Sequence, residues 1–254
     1  DGNFPNHHPD PSKPENVEDL IESVLKNKSE IGLAFDGDAD RLGVISPSGE
    51  MIFPDMQMIL FSEHVLKKKP NSKIVFDVKC SKLLEEAILK SNGIPIMSKT
   101  GHTFIKSMIR GHGAILGGEM SGHIFFNDRW PGFDDGVYAG ARMLEILSQS
   151  EGEDIFNALP KLVSTPEINI KTTDEDKFSI IDDFKKMSSF KDGKIIDIDG
   201  IRVEFDNGWG LLRASNTSPV LVLRFEANSI NTLNNIKDRF KETLQKIDPS
   251  LTNF

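Results

Sequence analysis

Apolar residues in this chain fall into short runs separated by polar turns, and their period changes along its length. Val17, Leu20, Ile21, Val24 and Leu25 recur every three or four positions, which predicts a helix over 15–27 with N-cap candidates among residues 12–16. Two apolar runs follow, Ile31, Leu33, Ala34 and Phe35, then Leu42, Val44 and Ile45, each short enough for a buried strand. A turn at Pro47-Ser48-Gly49 and a junction at 51–54 close this segment. From Asp55 the pattern alternates: helices over 56–67, 83–89, 104–109 and 137–147 are interleaved with strands over 74–76, 94–97, 114–116 and 124–126. Asn92-Gly93 marks a helix stop. Such alternation predicts an α/β fold with mixed, mainly parallel sheets and helices on both sides, whose ligand-facing loops lie at the carboxyl ends of the strands.

After Pro160 the pattern changes. Strands over 167–170, 194–197, 202–205, 210–213 and 220–225 are joined in part by short turns at Gly200 and Gly208, with helices over 177–187 and 230–247. That order predicts an α+β module, an antiparallel sheet packed by two helices.

Composition narrows the class. With 254 residues, 38% hydrophobic and 27% charged, the chain has the makeup of a folded globular protein with a real core. A formal charge of −9 argues against nonspecific nucleic-acid binding, yet leaves room for a phosphorylated substrate held by local positive charge. One cysteine, Cys80, excludes an intrachain disulfide and fits a reducing, cytoplasmic setting. No run reaches the roughly 18 apolar residues of a membrane span, and no signal peptide opens the chain. The chain starts at Asp1 without methionine and runs into the Pro-rich segment 4–11, which reads as a piece of a longer protein.

The chemistry concentrates between the first two strands. Asp36, Asp38 and Asp40 stand at alternate positions, spaced by Gly37 and Ala39. Three carboxylates so close repel one another unless a cation joins them, and Mg²⁺, hard and oxygen-seeking, is the natural candidate. Arg41 adds a forked donor suited to a phosphate beside the metal. An EF-hand loop opens similarly, but its sixth and twelfth positions need Gly and Glu, and here they hold Arg41 and Pro47. A polar surface turn is the plainer alternative, set against by the flanking apolar strands.

Three further loops carry polar chemistry. Glu119-Met120-Ser121-Gly122-His123 offers hydrogen-bonding groups of the kind a sugar requires, and Gly122 admits a ligand close to the backbone. Lys79 and His102 follow strand ends and could meet an anion or move protons; taken singly, such a Lys is more often solvated and such a His structural. Arg213-Ala214-Ser215-Asn216-Thr217 combines a guanidinium, hydroxyls, an amide and turn N–H groups, the ingredients of a phosphate cradle, although the same residues also build polar hairpins.

Together these motifs resemble the α-D-phosphohexomutase family, closest to its bacterial phosphomannomutase/phosphoglucomutase branch. The likeness rests on Asp36-Gly37-Asp38-Ala39-Asp40-Arg41, Gly118-Glu119-Met120-Ser121-Gly122-His123 and Arg213-Ala214-Ser215-Asn216-Thr217, in that order across nearly the whole chain, with Lys79, Lys99-Thr100-Gly101-His102 and the 4–13 segment in support. The resemblance implies a four-domain, monomeric parent. Here residues 1–49 would be the latter part of a metal-binding second domain, 50–162 a sugar-binding third and 163–254 a phosphate-binding fourth. The missing N-terminal domain, with its phosphate-carrying serine, would be this chain's partner, so the piece alone would be inactive.

The implied reaction interconverts hexose 1-phosphate and 6-phosphate through the phosphoserine and a bisphosphorylated sugar. By the same resemblance, Asp36, Asp38 and Asp40 hold Mg²⁺, and Arg41 steadies the transferring group. Glu119 and Ser121 grip sugar hydroxyls, and Arg213, Ser215, Asn216 and Thr217 hold the phosphate not in transfer. Lys79, His102 and His123 contact substrate or assist proton transfer. The alternatives are a glucosamine-phosphate mutase, against which Met120 speaks, a non-catalytic sugar-phosphate-binding module, and an Asp-nucleophile phosphatase.

Overall fold

In the computed structural model, which describes residues 2–150, 154–252 and 254, the chain forms two units, Asp1–Pro160 and Lys161–Phe254. The first begins with a 3-10 turn, Pro14–Asn16, and α1 (Glu18–Asn27). No side chain caps α1, because the N-cap position falls on Val17; Asn16, one residue earlier, donates to the carbonyl of Asp10 at 2.9 Å. Strands β1 (Gly32–Phe35), β2 (Leu42–Ile45) and β3 (Met51–Ile52) make a sheet ordered β1-β2-β3. All its pairings are antiparallel, whereas the alternation rule gave mainly parallel sheets. The six-residue turn 36–41 is too short for the crossover that parallel pairing needs. The expected junction at 51–54 holds β3 and the first residue of the next helix.

That helix, α2 (Pro54–Lys68), starts at a proline suited to its first turn. Met58, Ile59, Leu60, Phe61, Val65 and Leu66 are all buried, the all-round apolar character of a helix enclosed by other elements. Next come β4 (Lys73–Asp77), α3 (Lys82–Lys90), β5 (Ile94–Ser98), α4 (His102–His112), β6 (Leu116–Gly118), β7 (Ile124–Phe126) and α5 (Gly136–Gln149). The sheet order is β5-β4-β6-β7, parallel across the first two pairs and antiparallel at the last. The period of two sorts β4: Phe76 and Ile74 enter the core shared with α2 and α3, while Val75 packs with Ile105 and Ile109 of α4. β6 lies two residues beyond the predicted strand, on Gly117 and Gly118, where added side chains would collide with Ile109 and Met58. Since β4, β5 and β6 run parallel, the loops after Asp77, Ser98 and Gly118 emerge at one end of the sheet.

The second unit holds β8 (Val163–Ser164), β9 (Ile168–Lys171), α6 (Asp176–Met187), β10 (Lys194–Ile196), β11 (Ile201–Phe205), β12 (Gly208–Ala214), β13 (Val220–Ala227) and α7 (Ile230–Ile247). Its strands pair antiparallel throughout, β10-β11-β12-β13, with β8 and β9 both on β13. Leu233, Ile236, Phe240 and Leu244 form the buried stripe of α7. Phe240 is the hub of the core, with ring centroids 5.1–5.3 Å from Phe184, Phe190 and Phe225. Among the described residues, no helix is long and apolar enough to cross a membrane.

Candidate active site

The aspartate loop owes its shape to backbone ties at both ends. Ala39 takes a left-handed conformation (φ 61°), and its carbonyl accepts from the Gly136 amide at 2.9 Å, at the start of α5. A Cβ on Gly136 would stand 2.6 Å from the Arg41 carbonyl, so only glycine lets this helix end close on the loop. On the other side the Leu42 amide donates to the Gly122 carbonyl at 3.1 Å, and Arg41 pairs with His123 in a β-bridge. Gly122 takes a φ of 103°, which favours glycine, and the aspartate loop approaches it closely: an added Cβ would stand 3.3 Å from the Arg41 Cβ. The 36–41 and 119–123 loops are thus one constellation.

Within it, one oxygen each from Asp36, Asp38 and Asp40 can lie within 4.8 Å of the others. The three acids differ in environment. Asp36 is buried and accepts from the Arg41 amide at 3.0 Å and Arg41 Nε at 2.6 Å. Burial pushes its carboxyl up, but Arg41's hydrogen bonds and charge outweigh that and hold it below the usual range. At Asp40 the balance falls the other way: burial first, then the charge of Asp36, Asp38 and Asp134, pushes it up to about 6. That is the electrostatic signature of a site short of positive charge. Arg41 is engaged on two acids, since its Nη1 also meets Asp10 at 3.3 Å.

Three histidine-loop groups converge on an aspartate that sequence reading missed. Asp134 Oδ2 lies 3.1 Å from His102 Nδ1 and 3.2 Å from His123 Nδ1, and Oδ1 accepts from Lys106 at 2.9 Å. The two imidazoles stack with centroids 5.5 Å apart. Burial, reinforced by Arg41 and His102, lowers His123 to about 4, so its ring is neutral near pH 7. Asp134 stands in Asp134-Asp135-Gly136 at the start of α5, where Asp135 accepts from the Tyr138 amide as N-cap. An Asp-Asp-Gly before an apolar helix was the available signal.

The remaining sugar-loop residues sit on a second unforeseen acid. Asp77, fully buried at the end of β4, accepts from the Met120 amide at 3.2 Å, Cys80 Sγ at 3.1 Å and Thr100 Oγ1 at 2.9 Å. One carboxylate so ties together all three strand-end loops. Lys79 is buried beside this cluster, and Ser121 is half-buried in the 119–122 turn. Glu119 is turned inward, 1% exposed, and accepts from the Gly101 amide at 2.5 Å. Burial, and then the nearby charge of Asp77, raises it from 4.5 to about 8. A proton held in the folded state and lost in the unfolded one stabilises most below pH 4.5, and this contribution disappears as pH rises through 8. Glu119→Gln is therefore expected to flatten the fall of unfolding free energy between these limits, by a few kcal/mol at most. Urea titrations across that range read the slope; an unchanged slope would refute the assignment.

In the second unit, Arg213 is the penultimate residue of β12, 4% exposed, with Nε on Asp199 Oδ2 at 2.9 Å. Its Nη2 is shielded from solvent and has no hydrogen-bond partner among the described residues. Ser215 Oγ accepts from the Thr217 and Ser218 amides at 3.4 and 3.2 Å, folding the loop back on itself, while Ala214 is buried and Asn216 and Thr217 are exposed. Lys177 pins the far side by donating to the Ser218 carbonyl at 3.3 Å. An unspent guanidinium nitrogen beside a tight polar turn suits an oxyanion.

Comparison with known proteins places this geometry. Models described as phosphoglucomutase/phosphomannomutase alpha/beta/alpha domain II, alpha/beta/alpha domain III and C-terminal domain match residues 1–49, 53–164 and 167–243. A phosphomannomutase/phosphoglucomutase of Pseudomonas putida is 53% identical over 99% of this chain, and a phosphoglucomutase of Neisseria gonorrhoeae 52% identical over 96%. A crystal structure of a phosphoglucomutase/phosphomannomutase family protein from Burkholderia thailandensis superposes with a TM-score of 0.92 at 48% identity, covering 98% of this chain. The chain spans about half of each: 55%, 54% and 54% of their lengths.

Proposed function

This chain belongs to the phosphoglucomutase/phosphomannomutase family, and from that premise we propose that it is the metal- and sugar-phosphate-binding part of a mutase interconverting hexose 1-phosphates and 6-phosphates. The observation that carries the reading is the join between the aspartate loop and the sugar loop, which sets three acids beside two histidines on one rigid frame.

The family uses Mg²⁺. The residues present fit it: three carboxylates can converge, and burial with the charge of its acidic neighbours pushes Asp40 up to about 6. Asp36, Asp38 and Asp40 would hold the ion, which when bound neutralises charge on a phosphoryl group in transfer. Arg41 keeps Asp36 ionised and fixed. His123, neutral and half-buried, can take a proton from a sugar hydroxyl or return one, with Asp134 beside it to stabilise the imidazolium. The 213–217 loop takes the phosphate that is not in transfer, which converts binding energy into orientation of the reacting end. The phosphate-donating serine belongs to the portion of the family's length that this chain does not span.

The test supplies that portion. Fused behind the N-terminal half of the Pseudomonas putida relative, the chain should convert glucose 1-phosphate to glucose 6-phosphate by ³¹P NMR in the presence of Mg²⁺, and the chain alone should not. Release of free phosphate by the chain alone would favour a phosphatase and sink the proposal.

A further inference from the structure

His123 Nδ1 faces a second set of donors beside the aspartate trio. It lies 3.5 Å from Asp40 Oδ1 and 3.2 Å from Asp134 Oδ2, and a ligand atom from each of the three falls within 4.8 Å of the others. Metal bonds of about 2.0–2.2 Å in a tetrahedral site set donor–donor edges of about 3.3–3.6 Å. Of the two measured edges, 3.5 Å falls within that spacing and 3.2 Å just short of it. The nitrogen is shielded from solvent and makes no hydrogen bond among the described residues, so the short approaches to two carboxylates are not spent on a directed bond. Lys106 holds Oδ1 of Asp134, as a supporting partner of a ligand carboxylate does, while Oδ2 faces both imidazoles, hydrogen-bonded to His102 Nδ1 at 3.1 Å. A fourth donor is at hand in His102 Nδ1, 3.1 Å from the same Oδ2 on a half-exposed side chain, once Lys106 Nζ, 3.2 Å from that nitrogen, swings aside.

We propose that Asp40, His123 and Asp134, with His102 as fourth donor, bind a borderline divalent transition-metal ion such as Zn²⁺ or Co²⁺. The site differs from the aspartate trio in needing neither Asp36 nor Asp38. Imidazole nitrogen suits such ions and not Mg²⁺, which prefers oxygen in octahedral geometry. The two sites share Asp40, so an ion held by His123 removes one ligand from the trio and occupies the nitrogen that faces Asp134. Binding itself stands apart from the mutase reading; only the consequence, inhibition by competition with Mg²⁺, rests on it.

Co²⁺ alone is the probe, because its visible bands are intense in a tetrahedral N/O site and weak in an octahedral one. His7 and His8, adjacent and exposed, are the rival ligands, so the titration uses the chain with His7→Ala and His8→Ala. One Co²⁺ should bind with intense bands, unchanged within twofold in Asp38→Ala and weakened at least tenfold in His123→Ala and in Asp134→Ala. In the chain without further substitution, saturating Co²⁺ should shift the ring proton resonances of His123 and His102, a reading that does not depend on how any variant folds. The inference is overturned if Asp38→Ala abolishes binding while His123→Ala retains it, if the His123 resonances do not move, or if no Co²⁺ binds. Loss of Mg²⁺-dependent turnover in the fusion protein would leave these readings untouched, so the two proposals fail separately.

Discussion

Asp38→Ala is expected to abolish Mg²⁺ binding by the chain and to lower turnover in the fusion protein by about 10³-fold or more, with no change in melting temperature. The stability half of this result follows from placement. Asp38 is exposed at the tip of the 36–41 turn, and the turn is held by backbone bonds from Ala39 to Gly136 and from Leu42 to Gly122, none of which uses the Asp38 carboxylate. The activity half follows from charge. Asp36 is already engaged by Arg41 through both oxygens, so Asp38 and Asp40 are the acids with capacity to spare for a cation. Without Asp38 a single such acid, Asp40, is left, too little to hold a hydrated divalent ion. A metal that polarises a phosphoryl oxygen, or a single preorganised group aimed at developing charge, contributes several kcal/mol to the transition state. Calorimetric Mg²⁺ titration and a ³¹P assay measure the two quantities. Turnover within tenfold of the unsubstituted fusion would show that the trio is not the metal site.

The contrast between Asp38 and Asp134 shows what the sequence could disclose. The aspartate trio was legible because its chemistry is local: alternate positions in one turn, bounded by two apolar strands, force the carboxylates together whatever else the chain does. The strand-end loops were legible for a related reason, since parallel alternation brings their starting points to one edge. Asp77 and Asp10 carry no such local mark, and the Asp-Asp-Gly that marks Asp134 signals a helix start rather than a partner. Each acts on residues far off in the chain, and a single acid in a polar stretch looks the same whether it faces solvent or a histidine. The direction of Glu119 was hidden too, because nothing in Gly118-Glu119-Met120 tells an outward carboxylate from one folded beneath the Gly101 amide. The two-residue strands β3 and β8 escaped because a period of two needs more than two residues to register.

Arg213→Ala should weaken binding of glucose 1-phosphate by about 10- to 100-fold in the fusion protein and change kcat far less than KM. A hydrogen bond between charged groups is worth about 1.5–3 kcal/mol, and more where water is excluded. Arg213 is well placed to deliver it, because Nη2 is already desolvated and has no competing partner among the described residues. Its orientation is fixed in advance by Nε on Asp199, so little freedom is lost on binding. The substitution also strips Asp199 of that partner, and a stability loss of about 1–3 kcal/mol is expected alongside. Arg213→Lys separates the two effects. It keeps a positive charge near Asp199 but lacks the planar fork, so stability should recover while affinity stays low. If Lys restores affinity fully, the loop needs only charge, and the directed Nη2 contact plays no part. If Ala lowers kcat and leaves KM unchanged, Arg213 acts on the transferring group, and the division of labour between the aspartate loop and the 213–217 loop fails.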